Sequence, residues 1–309
     1  MIKIRDVAYG RLTAPDLARM EEFLSDFGMV TVDRTKNALY MRGCGPDHHI
    51  HITELGEPKL IGFAFHAKSA DDLETLSKAD GASPVEDIDE PGGGQRVRIT
   101  DPNGFEIEVV HGIATVDVET PKRQPVNWRD APLSRAGDLC RLLPKTPSHI
   151  KRMGHAVIFA PDVAKTVAWY RQMFGLLQSD DIYAGHESNL FGSFNRADCG
   201  DEFVDHHVFF CMHGEQPGLN HFSYEVEDMD DVFVGHDYLE EKGKYKHFWG
   251  VGRHLLGSQV FDYWEDPWGR VHEHWTDSDR LNASSGSALH PIEKAFVSQW
   301  GPPPPMRGN

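Results

Sequence analysis

The sequence is poor in cysteine and has no long apolar run. Four cysteines occur in 309 residues, far apart and without a Cys-x-x-Cys pair. Neither a disulfide framework nor a zinc knuckle is indicated, so we expect reduced thiols. No stretch approaches the roughly 18 apolar residues of a membrane-spanning helix, and the first residues contain no apolar signal core. We therefore expect a cytoplasmic protein that makes no use of a membrane.

Positive charge is also scarce. Lysine and arginine total 31 against 48 aspartate and glutamate residues, which gives a formal net charge of −17. Such a charge opposes binding to nucleic acid and to anionic lipid surfaces. Hydrophobic residues make up 39% and charged residues 26% of the chain, which is ordinary for a folded protein and excludes wholesale disorder.

An internal repeat decides how the chain is divided. The length alone allows two domains or one large barrel. Ala-Pro-Asp-Leu-Ala at residues 14–18 recurs as Ala-Pro-Asp-Val-Ala at 160–164, and Asp-His-His at 47–49 recurs at 205–207. Asp-Pro-x-Gly at 101–104 recurs at 266–269. Because the order is kept, we predict two related domains.

Each copy of the repeat predicts an α+β fold. An aspartate cap, a short amphipathic helix and a glycine stop are followed by several strands, with few helices for so many strands. We expect curved sheets around a cavity. The predicted organisation is an N-terminal domain at 1–120, a linker at 121–150, a C-terminal domain at 151–280 and a tail at 281–309. The tail folds over the cavity as a lid or docks on a neighbouring subunit.

Histidine is abundant and unevenly placed. Of 18 histidines, thirteen follow residue 140. His155, His221 and Glu273 lie on predicted strands, and two imidazoles with one carboxylate are the ligand set of a facial triad for Fe(II) or Mn(II). A hydrogen-bonded core or surface role is the alternative for each. The repeat favours ligation, because the two histidines correspond to Tyr9 and Gly62 in the first copy.

For the carboxylate of the triad, comparison of the two copies does not distinguish a metal ligand from a structural residue. Its counterpart, Glu108, is retained in the first copy, where we expect a relic or a surface carboxylate. His272 and His274 flank Glu273 and should point away from it by strand alternation. Residues 240–260 are interpreted as an insertion, with His247 in a solvated loop.

Several motifs around the triad carry a family resemblance. Asn220-His221-Phe222, together with Tyr263-x-x-Asp266-Pro267-x-Gly269-x-x-x-Glu273, resembles the type I extradiol catechol dioxygenases of the vicinal oxygen chelate superfamily. The resemblance extends to about residue 280. It implies paired βαβββ units in each domain and a metal site in the second domain alone. It also implies Fe(II) bound by His155, His221 and Glu273, with Mn(II) suiting the same ligands.

The resemblance further implies catalytic residues around the metal. His254 stands nineteen residues before Glu273 and Tyr263 ten before it, where the family carries a histidine and a tyrosine that hydrogen-bond the catechol. The remaining active-site histidine is His206 or His207. Only one of two adjacent strand residues can face the cavity, and we choose His207, fourteen residues before His221. We expect it to relay a proton.

The implied reaction inserts both atoms of O₂ into a substituted catechol next to the hydroxyl pair, as in bacterial aromatic catabolism. Weaker pocket candidates are His206, Phe248, Trp249 and Arg253. The aromatic members favour a neutral catechol. We expect a homo-oligomer, a dimer or a tetramer. The alternatives are another metal-dependent member of the superfamily, such as a glyoxalase-like isomerase or epimerase, and a metal-free module that binds an aromatic ligand.

Overall fold

Two mixed β-sheets, one from each half of the chain, form the frame of the protein. The computed structural model describes residues 2–121, 126–137, 140–141 and 143–305. Residues 122–125, 138–139 and 142 of the predicted linker, and 306–309 of the predicted tail, lie outside the described residues. No helix of the described part is long and apolar enough to cross a membrane.

The N-terminal sheet has eight strands in two βαβββ units. The first unit is β1 (Ile4–Ala14), α1 (Leu17–Phe27), β2 (Val30–Arg34), β3 (Ala38–Arg42) and β4 (His51–Leu55). The second is β5 (Lys59–Ala67), α2 (Ala70–Leu76), β6 (Glu86–Asp87), β7 (Gln95–Thr100) and β8 (Glu106–His111). The strand order is β2-β3-β4-β1-β5-β8-β7-β6, so antiparallel pairing of β1 with β5 joins the units.

The C-terminal half repeats this plan. Its first unit is β9 (Ile150–Ala160), α3 (Val163–Phe174), β10 (Leu177–Tyr183), β11 (Leu190–Arg196), β12 (Val204–Asp205) and β13 (Phe209–His213). Its second is β14 (Gly218–Val226), α4 (Met229–Lys242), β15 (Lys246–His254), β16 (Val260–Glu265) and β17 (Val271–Thr276). The tail adds β18 (Arg280–Leu281), β19 (Ala288–Pro291), α5 (Ile292–Ala295) and β20 (Ser298–Trp300).

The order of the ten-stranded sheet explains where the chemistry can lie. It runs β19-β10-β11-β13-β9-β14-β17-β16-β15-β20, and β12 pairs with β18 in a separate ribbon. The long strands β9 and β14 pair antiparallel at the centre, and β17 lies beside β14. The three strands that carry the predicted metal ligands are therefore neighbours.

The repeated helix signals act as the sequence indicates. The carboxylate of Asp16 accepts hydrogen bonds from the backbone amides of Ala18 and Arg19, and Gly28 ends α1 with φ at 113°. Asp162 accepts from the amide of Lys165, and Gly175 ends α3 with φ at 66°. Such caps satisfy the free amides of the first turn, and glycine adopts the left-handed conformation easily. The α+β class and the paired βαβββ units are confirmed.

Two strands of the second half differ from the expectation. The sequence pattern indicates an insertion with His247 in a solvated loop in the region of β15, and it singles out no strand at β10. Both segments pair along most of their length, β10 with β11 and β15 with β16. Strand β10 carries consecutive polar residues and β15 contains two glycines, so neither shows the alternation by which a strand is recognised.

The two halves share a continuous core. Phe27 of α1 stacks on His274 of β17 with ring centroids 3.7 Å apart, and His274 Nε2 lies 2.6 Å from the Phe27 carbonyl oxygen. His51 Nδ1 lies 2.7 Å from the hydroxyl of Tyr224. His272 and His274 are fully buried on the side of β17 away from Glu273, as alternation predicts.

Candidate active site

Three buried side chains converge at the centre of the C-terminal sheet. His155 projects from β9, His221 from β14 and Glu273 from β17. The Nε2 atoms of His155 and His221 lie 3.0 Å and 3.4 Å from Glu273 Oε2, and 3.4 Å from each other. The structure therefore brings together all three predicted metal ligands.

The donor set fits a divalent ion. Burial would raise the pKa of Glu273, but hydrogen bonds from His155 and His221, with the His254 imidazole nearby, hold it well below its usual range. Burial lowers the pKa of His221 to about 4, so its imidazole is neutral at pH 7. Glu273 Oε1 is buried with no hydrogen-bond partner among the described residues. Two imidazoles and one ionised carboxylate suit Fe(II) or Mn(II).

A cavity of about 250 Å³ lies against the triad. Aromatic and aliphatic side chains form most of its wall, which includes Phe159, Phe194, Phe210, Met212, Phe248, Trp249, Leu256, Ala295 and Phe296. Its polar groups are the two histidine ligands with His207, Asn220, His254, Gln259 and Tyr263. The described wall contains no lysine or arginine. Such a cavity suits a small, uncharged, largely apolar ligand.

His254 and Tyr263 face the cavity beside the carboxylate. Tyr263 on β16 is directly opposite Glu273 on β17. His254 Nε2 lies 2.9 Å from the Tyr263 hydroxyl and 3.5 Å from Glu273 Oε1. Burial and the neighbouring Glu273 charge raise the pKa of Tyr263 well above its usual value. The phenol therefore keeps its proton at neutral pH.

His207 lines the cavity, whereas His206 lies behind its wall. The ring of His207 is centred 4.1 Å from that of His155, and burial holds its pKa well below the usual value. His206 Nε2 lies 2.8 Å from Asp180, so its ring points away. The pair follows β12 without belonging to a strand, so alternation is not the reason for their different directions. The expectation that His206 contributes to the pocket is corrected.

Of the other three pocket candidates, two line the cavity and one does not. Phe248 and Trp249 line the cavity, as predicted. Arg253 does not, because its guanidinium lies 2.8 Å from Asp277 and over the ring of Trp300. An arginine with a carboxylate partner elsewhere is not available to the cavity, and the prediction for Arg253 is corrected.

Sequence reasoning missed Asn220 and Gln259, whereas it expected the tail to fold over the cavity. Asn220 Oδ1 lies 2.7 Å from His221 Nδ1 and so orients that imidazole, as second partners of metal-binding histidines do. Its position directly before His221 was the available signal. Phe296, Pro304 and Pro305 of the tail reach the cavity, and Trp249 Nε1 donates to the Pro302 carbonyl oxygen at 3.0 Å. These tail residues belong to the segment that is expected from the sequence to fold over the cavity.

The equivalent place in the N-terminal sheet contains an ion-pair cluster. Glu108 is 3% exposed and lies 3.4 Å from both Arg11 and Arg96, and it accepts a hydrogen bond from Tyr9. Glu108 is thus no surface carboxylate, contrary to one of the two expectations. A Cβ atom on Gly62 would lie 1.6 Å from the Glu106 carbonyl oxygen, so a histidine has no room there.

Comparison with known proteins agrees with this geometry. The family model described as the Glyoxalase/Bleomycin resistance protein/Dioxygenase superfamily matches residues 6–109 and 152–273. The chain belongs to this superfamily. The chain is 30% identical to "Metapyrocatechase 2" of Cupriavidus necator, with 98% of this chain and 90% of the relative covered.

Two further proteins are similar over nearly the whole chain. The "Manganese-dependent 2,3-dihydroxybiphenyl 1,2-dioxygenase" of Geobacillus genomosp. 3 is 25% identical, with 94% of this chain and 86% of the relative covered. A homoprotocatechuate 2,3-dioxygenase of Brevibacterium fuscum, crystallised with 3,4-dihydroxyphenylacetate, has a TM-score of 0.77 at 20% identity, with 98% and 90% covered. The resemblance to extradiol dioxygenases stated from the motifs is confirmed.

Proposed function

We propose that this protein is an extradiol dioxygenase that cleaves a substituted catechol next to its hydroxyl pair. The observation that carries the proposal is the triad of His155, His221 and Glu273 at the wall of an aromatic cavity that also contains His207, His254 and Tyr263. His155, His221 and Glu273 would hold Fe(II) or Mn(II), which would supply a centre at which a catechol and O₂ can meet.

The surrounding side chains orient the substrate and manage its protons. Tyr263, protonated at neutral pH, donates a hydrogen bond to one catechol oxygen, and His254 is near enough to share that contact. His207 lies on another part of the cavity wall, against His155. Its neutral imidazole can accept a proton from the substrate and return it during ring cleavage. The aromatic wall holds the ring and excludes water.

The cavity supports a neutral substrate. A carboxylated catechol would need a cation at the cavity wall. The described wall offers none, and Arg253 is held by Asp277. We therefore propose an uncharged catechol with a small apolar or aryl substituent. A place in bacterial-type aromatic catabolism, a cytoplasmic location and assembly into a dimer or tetramer stay predictions from the sequence.

The test is anaerobic reconstitution with Fe(II), or in parallel with Mn(II), followed by exposure to ¹⁸O₂ and a panel of catechols. The panel pairs 3-methylcatechol and 2,3-dihydroxybiphenyl with the carboxylated 3,4-dihydroxyphenylacetate. We expect yellow ring-fission products that contain both ¹⁸O atoms, with kcat/KM higher for the neutral compounds. A protein that contains metal but converts no catechol would contradict the proposal and favour an isomerase. One that binds catechols but no metal would favour a binding module.

A further inference from the structure

A second group of two histidines and one aspartate lies outside the proposed active site. His236 is on α4, His247 on β15 and Asp262 on β16. His236 Nδ1 lies 3.1 Å from Asp262 Oδ2, and His247 Nε2 lies 2.8 Å from Asp262 Oδ1. Within the described ranges, only this group and the triad bring three histidine, cysteine or acidic side chains within 4.8 Å of one another.

The group has the same construction as the triad. In both, two imidazole nitrogens meet one fully buried carboxylate at 2.8–3.4 Å. In both, a neighbouring side chain donates a further hydrogen bond to the carboxylate: Ser223 to Glu273, and Trp264 Nε1 to Asp262 Oδ2 at 2.6 Å. Such a donor orients a carboxylate ligand without occupying the metal.

Negative charge is concentrated around the group. The carboxylate of Asp262 is completely buried and lies between the two imidazoles. The carboxylates of Glu240 and Asp237 are close enough to His236 to act on it electrostatically. The three acidic residues therefore give this place a negative potential.

Access and ring geometry are also suitable. The side chains of His236 and His247 are 22% and 26% exposed, whereas Asp262 is completely buried. The two imidazole rings are nearly perpendicular, with centroids 4.9 Å apart, and both lie against the Trp264 indole. An ion with bonds of about 2.0 Å would require adjacent ligand atoms about 3.3 Å apart in a tetrahedral site. The three ligand atoms lie within 4.8 Å of one another, so the rings must move closer by up to about 1.5 Å, and solvent can supply the fourth ligand.

We propose that His236, His247 and Asp262 form a second metal site, which binds one Zn²⁺ or a similar borderline divalent ion. Two imidazoles and one carboxylate suit such an ion. Its ligands connect α4 to the β15-β16 hairpin, and that hairpin carries His254 and Tyr263 on its cavity side. The bound ion would thus stabilise the outer side of the cavity wall without taking part in the reaction.

The experiment must separate this site from the triad. The full chain with Glu273→Ala, which removes the triad carboxylate, is dialysed against Zn²⁺, and bound zinc is counted by mass spectrometry. We expect one zinc per chain, with an X-ray absorption spectrum that shows nitrogen and oxygen ligands at about 2.0 Å. Adding His247→Gln should weaken zinc binding at least tenfold. Adding His213→Gln instead, at an exposed histidine outside the cluster, should leave it unchanged.

Two results would overturn the proposal. One is absence of zinc from the Glu273→Ala protein while its thermal unfolding still shows a folded chain, which would leave the cluster as an ion pair only. The other is zinc binding that His247→Gln and His236→Gln do not weaken. Neither result depends on ring cleavage, because the proposed activity is measured separately with the unmodified triad. A second count, on the Fe(II)-loaded wild-type chain, should give one zinc in addition to one iron.

Discussion

The imidazoles of His206 and His207 face each other through their Nδ1 atoms, 3.1 Å apart. The far nitrogen of His206 lies 2.8 Å from Asp180, whose other oxygen is 3.0 Å from His290 Nε2. Burial would raise the pKa of Asp180, but its hydrogen bonds with His206 and His290 hold it below the usual range. The ionised carboxylate therefore keeps a proton on His206 Nε2.

This arrangement selects the tautomer of His207. When His206 carries a single proton, on Nε2, its Nδ1 can only accept; His207 then donates from Nδ1 and presents an unprotonated Nε2. We expect His207→Phe to retain the metal and lose nearly all turnover, because the proton acceptor at the cavity is gone. His206→Phe should lower kcat about 10-fold to 100-fold at unchanged metal content, because His207 loses the partner that orients it.

The measurement is kcat and KM together with metal content for both variants, with His290→Phe as the control. His290 contacts Asp180 from the far side, so its loss should affect kcat less than that of His206. If His206→Phe abolishes turnover while His207→Phe leaves it intact, the assignment of the two histidines must be exchanged.

Ser223 offers a test of the metal centre that spares all three ligands. Its hydroxyl donates to Glu273 Oε2, and its side chain is completely buried. Ser223→Ala should weaken metal binding about 10-fold to 100-fold, because the carboxylate loses an orienting donor. Competition with a chelator measures this affinity. Ser193→Ala removes another buried hydroxyl from the same sheet, bonded to Asp181, and should leave metal affinity unchanged. Equal affinities in the two variants would contradict the prediction.

The triad was predictable from the sequence because the position of a residue along a strand decides to which side of the sheet its side chain points. His155, His221 and Glu273 lie on predicted strands, and the first copy of the repeat shows that the fold does without the two histidines. Side-chain alternation then places the ligands on one side of the sheet and His272 and His274 on the other.

Residues outside regular strands could not be placed in this way. The choice between His206 and His207 depends on Asp180, which lies 26 residues before His206 on a strand that shows no alternation. Arg253 has the charge of a substrate anchor, but its partner Asp277 is set by the tertiary structure. The cluster of His236, His247 and Asp262 combines a helix with two strands, and no local spacing indicates such a contact.

The contact between Gly10 and Phe222 provides a test of the packing between the two halves. A Cβ atom on Gly10 would lie 2.3 Å from the Phe222 ring, which is fully buried. Gly10→Ala should lower the free energy of unfolding by about 1–3 kcal/mol, as overpacking of a core does. Urea denaturation measures the change. Gly286→Ala, where a Cβ meets nothing within 4 Å, is the control, and Phe222→Leu should rescue part of the loss. Unchanged stability of Gly10→Ala would show that the halves are not packed this closely.

The pH dependence of stability should include a contribution from His49, a buried histidine distant from the triad. Burial lowers its pKa to about 3, with the charges of His48 and Arg11 adding to the effect. The ordinary pKa of a histidine is about 6.5. Below that pH the His49 side chain binds a proton in the unfolded chain but not in the folded chain, so the free energy of unfolding falls as the pH falls. The slope is up to about 1.4 kcal/mol per pH unit between about pH 6.5 and 3.

Comparison of wild type with His49→Gln isolates this contribution. Asp6 acts in the opposite direction, because burial raises its pKa to about 7, but it is present in both proteins. Between pH 7.5 and 5.0 we expect the wild type to lose about 2 kcal/mol more than His49→Gln, measured by urea denaturation at each pH. His186→Gln, at an exposed histidine, should lose as much as the wild type. If His49→Gln loses as much unfolding free energy as the wild type, the folded chain must bind a proton at His49, and its imidazole is accessible to solvent.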